Sequence, residues 1–402
     1  MPENMVHGFV ADKFSRVRDA FEENFASGAD VGASCCATVE GETVVDLWGG
    51  FADEAKTRLW EKDTIINVFS TTKTMTALTA LLLADRGELD FDAPVARYWP
   101  EFAANGKERI KVSQVMSHAS GLSGWKEPVT TVDDLYDWEK MTSLLAAQAP
   151  LWEPGTASGY HTITFGFLIG EVVRRITGRS LGTVFREEIA EPLGADFHIG
   201  LPASEDSRVA ELIPIVLSQN AGSQSTGKFE LSEVQQLTLM NLPREFPWAG
   251  STAVANTRAW RSAEIPAVNG QGNARSVAEI HCILANGGVA RGKRFLSEAG
   301  CRKALEQQIE GPDLIMSHLP PARFGMGFAL PGPLLELELP NPNTIHWGGG
   351  GCSWIFIDMD ARTTFAYAAN KIDRRPLSDP RPFRTMQALW QSLGIHSEVH
   401  GQ

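Results

Sequence analysis

Apolar and polar positions follow two different periods along the chain, and the elements they predict fall in a clear order. From residue 13 to 25, Phe14, Val17, Phe21 and Phe25 recur at helical spacing, which predicts an amphipathic helix. Residues 33–39 and 43–47 read as two strands, with Gly41 in the turn between them as in a hairpin. Residues 65–69 form a short, mostly apolar, strand-like run that leads straight into Ser70-Thr71-Thr72-Lys73. Residues 75–84 are apolar on nearly every side, as a buried helix is, and Arg86 and Gly87 close it. Helical patterns with Pro, Gly and Ser punctuation fill residues 88–265. They include a helix over 164–177 ended by Gly178, and a Ser/Gln/Gly-rich stretch, 218–227, with the character of a loop or exposed linker. A helix over 274–285 precedes the turn Asn286-Gly287-Gly288. Strand-like segments follow at 323–329, 344–347, 353–358 and 363–369, and a final helix spans about 383–393. Strands at both ends with helices between them predict a sheet domain built from both ends of the chain around a helical insertion.

Composition narrows the class without choosing a function. The 402 residues are 43% hydrophobic and 21% charged, as in an ordinary globular protein, which excludes disordered and collagen-like classes. At about 100–200 residues per domain, two or three domains are expected. The 36 Lys and Arg against 49 Asp and Glu leave a net charge of −13. Such a surface repels phosphate backbones and anionic lipid, so neither nucleic acid nor a membrane is an expected partner. The first residues lack a basic segment followed by an apolar one, and no apolar run approaches about 18 residues, so a cytoplasmic protein is expected. Cys35, Cys36, Cys282, Cys301 and Cys352 are odd in number and form no C-x-x-C pair, so reduced, mostly buried thiols are expected rather than disulfides or zinc.

Several motifs could carry chemistry. No H-E-x-x-H, phosphate-binding loop or dinucleotide fingerprint is present, so no metal or cofactor is expected. Gly178-Arg179-Ser180-Leu181-Gly182 has the G-x-S-x-G pattern, but a helix precedes it where a nucleophile elbow needs a strand. Ser180 therefore reads as a helix-ending turn and as the rival nucleophile. The S-x-x-K pattern occurs at Ser70/Lys73, Ser123/Lys126 and Ser225/Lys228, and only the first opens a long apolar helix. There, i and i+3 share a helix face, the helix N-terminus favours a developing oxyanion, and an apolar helix body favours a neutral amine at Lys73. A neutral amine can take the Ser70 proton. Tyr160, in the turn-rich stretch that starts at Trp152 and Glu153, is a candidate proton shuttle. His346-Trp347-Gly348-Gly349-Gly350-Gly351 comes off a strand, and its glycines leave backbone N–H groups open to form an oxyanion hole with that of Ser70. Trp125, Trp152, Trp248 and Trp347 are candidates to line an apolar pocket.

The ordered set resembles the serine β-lactamase-related, penicillin-recognising family. Its class C β-lactamase-like esterases, the family VIII carboxylesterases, are the branch most alike. The residues that carry the resemblance are Phe69 to Lys73, Leu89 to Val95, Ser117-His118-Ala119-Ser120-Gly121-Leu122, the Trp152–Gly155 turn with Tyr160, Phe324 to Phe328, and the His346–Gly351 run with Ser353-Trp354. It implies an α/β plus all-α fold, with a central antiparallel sheet flanked by helices and an inserted helical domain. Residues 1–75 and 266–402 would form the mixed α/β domain and 76–265 the helical one, with the active site between them. It implies Ser70 as acylated nucleophile, Lys73 and Tyr160 as base and acid, no cofactor, His118 as a structural landmark, and a small-molecule ester as substrate. Two departures bear on that substrate. Thr162 stands where β-lactamases of the branch carry Asn, and no Lys-Thr-Gly is present, so the charge that holds a substrate carboxylate is missing. Both favour an esterase over a β-lactamase or DD-peptidase; an acyltransferase and a silent scaffold are the further alternatives. Two registers stay open for the third motif: His346-Trp347-Gly348, with the oxyanion N–H on Gly349, and Trp347-Gly348-Gly349, with it on Gly350.

Overall fold

The computed structural model describes residues 5–215, 231–247, 252–335, 337–373 and 377–395. Its centre is a six-stranded sheet drawn from both ends of the sequence. The strands are β1 (Val6–Val10), β2 (Gly32–Val39), β3 (Glu42–Gly50), β4 (Thr344–Gly349), β5 (Ser353–Asp358) and β6 (Thr363–Ala369). They pair antiparallel in the order β1-β3-β2-β6-β5-β4, and the junction between the halves is the β2–β6 ladder, with Cys36 opposite Ala366.

Strand β2 is buried along nearly its whole length because helices cover both faces of the sheet. Ala33, Cys35 and Ala37 face a cluster shared with α1 (Ser15–Ala26) and the C-terminal helix, Pro380–Leu393. Cys36 faces the opposite cluster, which holds helix Ala274–Ala285 and the molecule's largest core. Small side chains at these positions let helices approach on both sides. All five cysteines are free and buried.

Helix α2 (Thr72–Asp85) runs through that larger core with every residue from Thr72 to Leu83 buried. Helix α3 (Thr164–Thr177) packs beside it and ends on Gly178 in a left-handed cap. A three-stranded ribbon of two-residue strands, Ile66–Asn67, Gln271–Gly272 and Phe197–His198, holds the segment before α2 against residues 267–270. Among the described residues, no helix is long and apolar enough to cross a membrane.

Several boundaries differ from the sequence expectation. The apolar run 65–69 supplies only a two-residue strand, because the chain turns into a 3-10 helix at Phe69 to start α2. The strand expected over 323–329 is confined to Ala322–Phe324; Gly327, at φ 83°, turns the chain, and Ala329 then bridges to His346. The final helix begins earlier, at Pro380, with Asp379 capping it. Strand β1 was not expected at all. It is mostly exposed and carries no alternating apolar face. The 218–227 linker lies outside the described residues.

Candidate active site

Ser70 sits where the sheet edge, α2 and the Tyr160 segment meet. The turn that presents it is tight: Phe69 adopts φ 45°, a left-handed conformation that a bulky residue takes only under constraint. The constraint comes from β5. Ser353 Oγ donates to the Val68 carbonyl at 2.7 Å and shares a hydrogen bond with Thr71 Oγ1 at 2.8 Å.

Lys73 is fully buried in the first turn of α2. Its Nζ donates to the Thr162 carbonyl at 2.8 Å and the Ala267 carbonyl at 3.0 Å, and lies 3.2 Å from Ser70 Oγ. Burial pushes its pKa well below that of an ordinary lysine, and no carboxylate counters the shift. A neutral amine has two hydrogens and one lone pair. The two carbonyls take the hydrogens, which leaves the lone pair for the Ser70 hydroxyl.

Tyr160 completes the cluster. Lys73 Nζ lies 4.9 Å from the centroid of its ring. Its hydroxyl interacts with the side chains of Ser70 and Trp347, and burial pushes the phenol well above its usual range, so it is held neutral. Part of the residue stays open, and it lines the cavity described below. Behind it lies His118, fully buried at φ 62°, its ring 5.0 Å from that of Tyr160 and stacked 5.6 Å from Trp347. Its Nδ1 accepts the backbone N–H of His161 at 3.1 Å. His161 in turn pairs with Ser120 Oγ and the Gly159 carbonyl, and burial holds its pKa down to about 4, so it braces the loop as a neutral ring. Asp313 also reaches this segment, its Oδ1 accepting the Tyr160 N–H at 3.0 Å.

The third-motif run lies on strand β4 and the turn after it. His346 stacks on Trp354 and Phe356, each at 5.9 Å, on the face turned toward the C-terminal helix. Alternation puts Trp347 on the other face, with Tyr160 and His118. Gly349 follows on the Trp347 side so closely against the Ser70 turn that a Cβ there would lie 2.1 Å from the Val68 carbonyl oxygen. Gly350, at φ 46°, lies against the Phe69 ring. His346 is also among the residues that line the cavity.

These groups open onto a cavity of about 430 Å³. Ser70, Tyr160, Thr162, Trp347, Gly348 and Gly350 form one side, and Phe246, Val268, Ile315, Met316 and Leu319 are among the apolar residues of the rest. No Lys, Arg, Asp or Glu is part of its lining among the described residues. A second hollow of about 460 Å³ holds Glu101, Glu171, Arg174 and Arg175, which are paired with one another and offer no reacting group. Among the described residues, no three His, Cys, Asp or Glu are placed to share a metal ion.

Two of the tryptophans expected in the pocket are elsewhere. Trp125 is core, its indole donating to the Met141 carbonyl and its ring against Phe167. Trp152 closes its own turn by donating to the Ala157 carbonyl, with Gly159 and His161 against its ring. Trp248 lies outside the described residues. The rival serines are also accounted for. Ser180 follows the helix end at Gly178, is the N-cap of helix Leu181–Phe185 and donates to Glu264 at 2.7 Å. Ser123 is buried against Thr238 while Lys126 is exposed, and Ser225/Lys228 lies outside the described residues. Asp313 and the two carbonyls that hold Lys73 had no sequence signal, because their partners are backbone groups or come from distant segments.

Known proteins share this arrangement of elements. The family described as beta-lactamase matches residues 17–387. The esterase/beta-lactamase LipL of Mycobacterium tuberculosis is 35% identical over 375 residues, 91% of this chain and 83% of that protein. The crystal structure of a family VIII carboxylesterase superposes with a TM-score of 0.88 at 43% identity, covering 96% of this chain and 99% of the other. A penicillin-binding protein homologue from Caulobacter crescentus superposes with a TM-score of 0.86 at 37% identity, over 97% of this chain and all (100%) of that one. From its sequence and its fold alike, this chain belongs to the beta-lactamase family.

Proposed function

We propose that the protein is a serine carboxylesterase that cleaves small to medium, uncharged esters through an acyl-enzyme on Ser70. The observation that carries this reading is Lys73: a buried amine 3.2 Å from Ser70 Oγ, held by two carbonyls and by no carboxylate. In acylation Lys73 takes the Ser70 proton as Oγ attacks the ester carbonyl. Tyr160, a neutral phenol beside Ser70, gives its proton to the departing alkoxide and takes one back from the Lys73 ammonium, which leaves both neutral again. In deacylation the same pair activates water. The backbone N–H groups of Ser70 and Gly350 receive the oxyanion. The placement of Trp347 on the Tyr160 face supports the Trp347-Gly348-Gly349 register, with His346 outside the chemistry.

The cavity supports the choice of substrate. Among the described residues its lining has no Lys or Arg to hold a carboxylate, and Trp347 stands on the Tyr160 face where family β-lactamases are expected to present lysine. The same reading divides the chain into a mixed α/β domain, residues 1–75 and 266–402, and a mainly helical domain, residues 76–265. The shared β2–β6 ladder supports that division. A cytoplasmic setting suits five free, buried cysteines. One observation favours a second activity: the relative from Mycobacterium tuberculosis is named both esterase and beta-lactamase. Hydrolysis of p-nitrophenyl butyrate is the test. Ser70→Ala should lose about 10³-fold or more in kcat, and Ser180→Ala should retain it. Full activity in Ser70→Ala would sink the proposal, and nitrocefin turnover matching ester turnover would favour the second activity.

A further inference from the structure

One buried carboxylate near the site has no part in the chemistry above. Asp313 is 2% exposed, and it is held by backbone rather than by a cation. Its Oδ1 accepts three N–H groups: Tyr160 at 3.0 Å, Ile315 at 2.9 Å and Met316 at 2.9 Å. A carboxylate oxygen is the side-chain acceptor best suited to three donors at once.

The three donors belong to two different working parts. Tyr160 carries the phenol, and its segment continues to Thr162, whose carbonyl holds Lys73. Ile315 and Met316 form part of the apolar wall of the cavity. The Leu314 N–H donates to the Ser158 carbonyl at 2.8 Å, so the two segments are joined at Asp313 and again at the next residue. Gln235 Nε2 donates to the Ile315 carbonyl and to Ser317 Oγ, both at 3.0 Å, so the wall has a second tether that does not reach Tyr160.

We propose that Asp313 is a positioning residue that couples Tyr160 to the Ile315–Met316 wall, so that one carboxylate sets both the place of the phenol and the shape of the acyl pocket. The inference rests on the esterase reading. A residue that only supports the fold would change stability and leave the preference among esters alone. Asp313 instead links rate and chain-length preference.

The test compares p-nitrophenyl acetate with p-nitrophenyl octanoate in the full-length wild type, Asp313→Asn, Asp313→Ala and Gln235→Ala. Asp313→Ala should lose about 10²-fold in kcat on acetate, the scale of a small misplacement of a catalytic group, and its octanoate-to-acetate ratio of kcat/KM should shift. Asp313→Asn keeps an acceptor oxygen and should recover part of both, remaining roughly 3- to 10-fold below wild type in kcat. Gln235→Ala loosens the wall but leaves the Asp313–Tyr160 bond in place, so it should shift the ratio with acetate kcat nearly unchanged. Wild-type behaviour in folded Asp313→Ala overturns the proposal, as does a kcat loss with an unchanged ratio. Should Asp313→Ala not fold, Asp313→Asn decides, and wild-type kcat and ratio there overturn it. Ser70→Ala in parallel separates the two layers: its full activity on acetate defeats the esterase reading itself, whereas its inactivity beside a wild-type-like Asp313→Asn defeats only the role of Asp313.

Discussion

At the scale of single residues, the environment of Lys73 governs when the site can work. Its pKa is depressed because burial penalises the ammonium and no anion compensates. The sign follows directly. Above the depressed value the amine is neutral and competent as a base, and below it the amine is charged and idle. The acid limb of kcat/KM on a neutral ester should therefore lie well below the 10.5 of a free lysine. An acid limb near that free value would contradict a neutral Lys73. Lys73→Arg sharpens the test, since a guanidinium stays protonated: the loss should be about 10²–10⁴-fold with no recovery at high pH. Ser70 and Lys73 were legible in the sequence because one helix face sets their relation. Tyr160 was legible as a candidate from its turn-rich segment, and the resemblance of motifs set it apart from a structural tyrosine. Asp313 was not legible, since a carboxylate whose partners are main-chain amides leaves no pairing to read.

At the scale of elements, the site depends on how closely β4 meets the turn before α2. Gly349 shows how little room there is, with the Val68 carbonyl oxygen 2.1 Å from where a Cβ would be. Gly349→Ala must push the strand end away from Ser70, and Gly350 with it. We expect kcat on p-nitrophenyl butyrate to fall about 10²-fold while circular dichroism stays native. A folded Gly349→Ala enzyme with wild-type kcat would show that the strand end does not shape the site. The helices α2 and α3 were readable because each has a sustained apolar pattern and a glycine at its end. The short elements were not. The segment 323–329 looked like a strand by composition, yet a turn at Gly327 overrides it. The mostly exposed β1 lacks the alternation that marks a strand, and its pairing with β3 comes from tertiary context.

At the scale of the whole molecule, both ends of the chain meet in one sheet, and this brings Ser353 and Gly349 beside a serine some 280 residues earlier in the sequence. The strand–helix–strand order made that closure predictable; which face of β4 meets the phenol was not, because a shift of one residue exchanges the faces. For the same reason the pocket tryptophans could not be chosen: Trp125 and Trp347 are both almost fully buried, and only the fold separates a core indole from one beside the nucleophile. In the proposed mechanism a single activated serine, Ser70, carries the acyl group. The most direct measurement is to label the full-length protein with a fluorophosphonate and locate the adduct by peptide mass spectrometry in wild type, Ser70→Ala and Ser180→Ala. The adduct should map to Ser70, vanish in Ser70→Ala and persist in Ser180→Ala; an adduct on Ser180, or one that survives Ser70→Ala, would contradict the account.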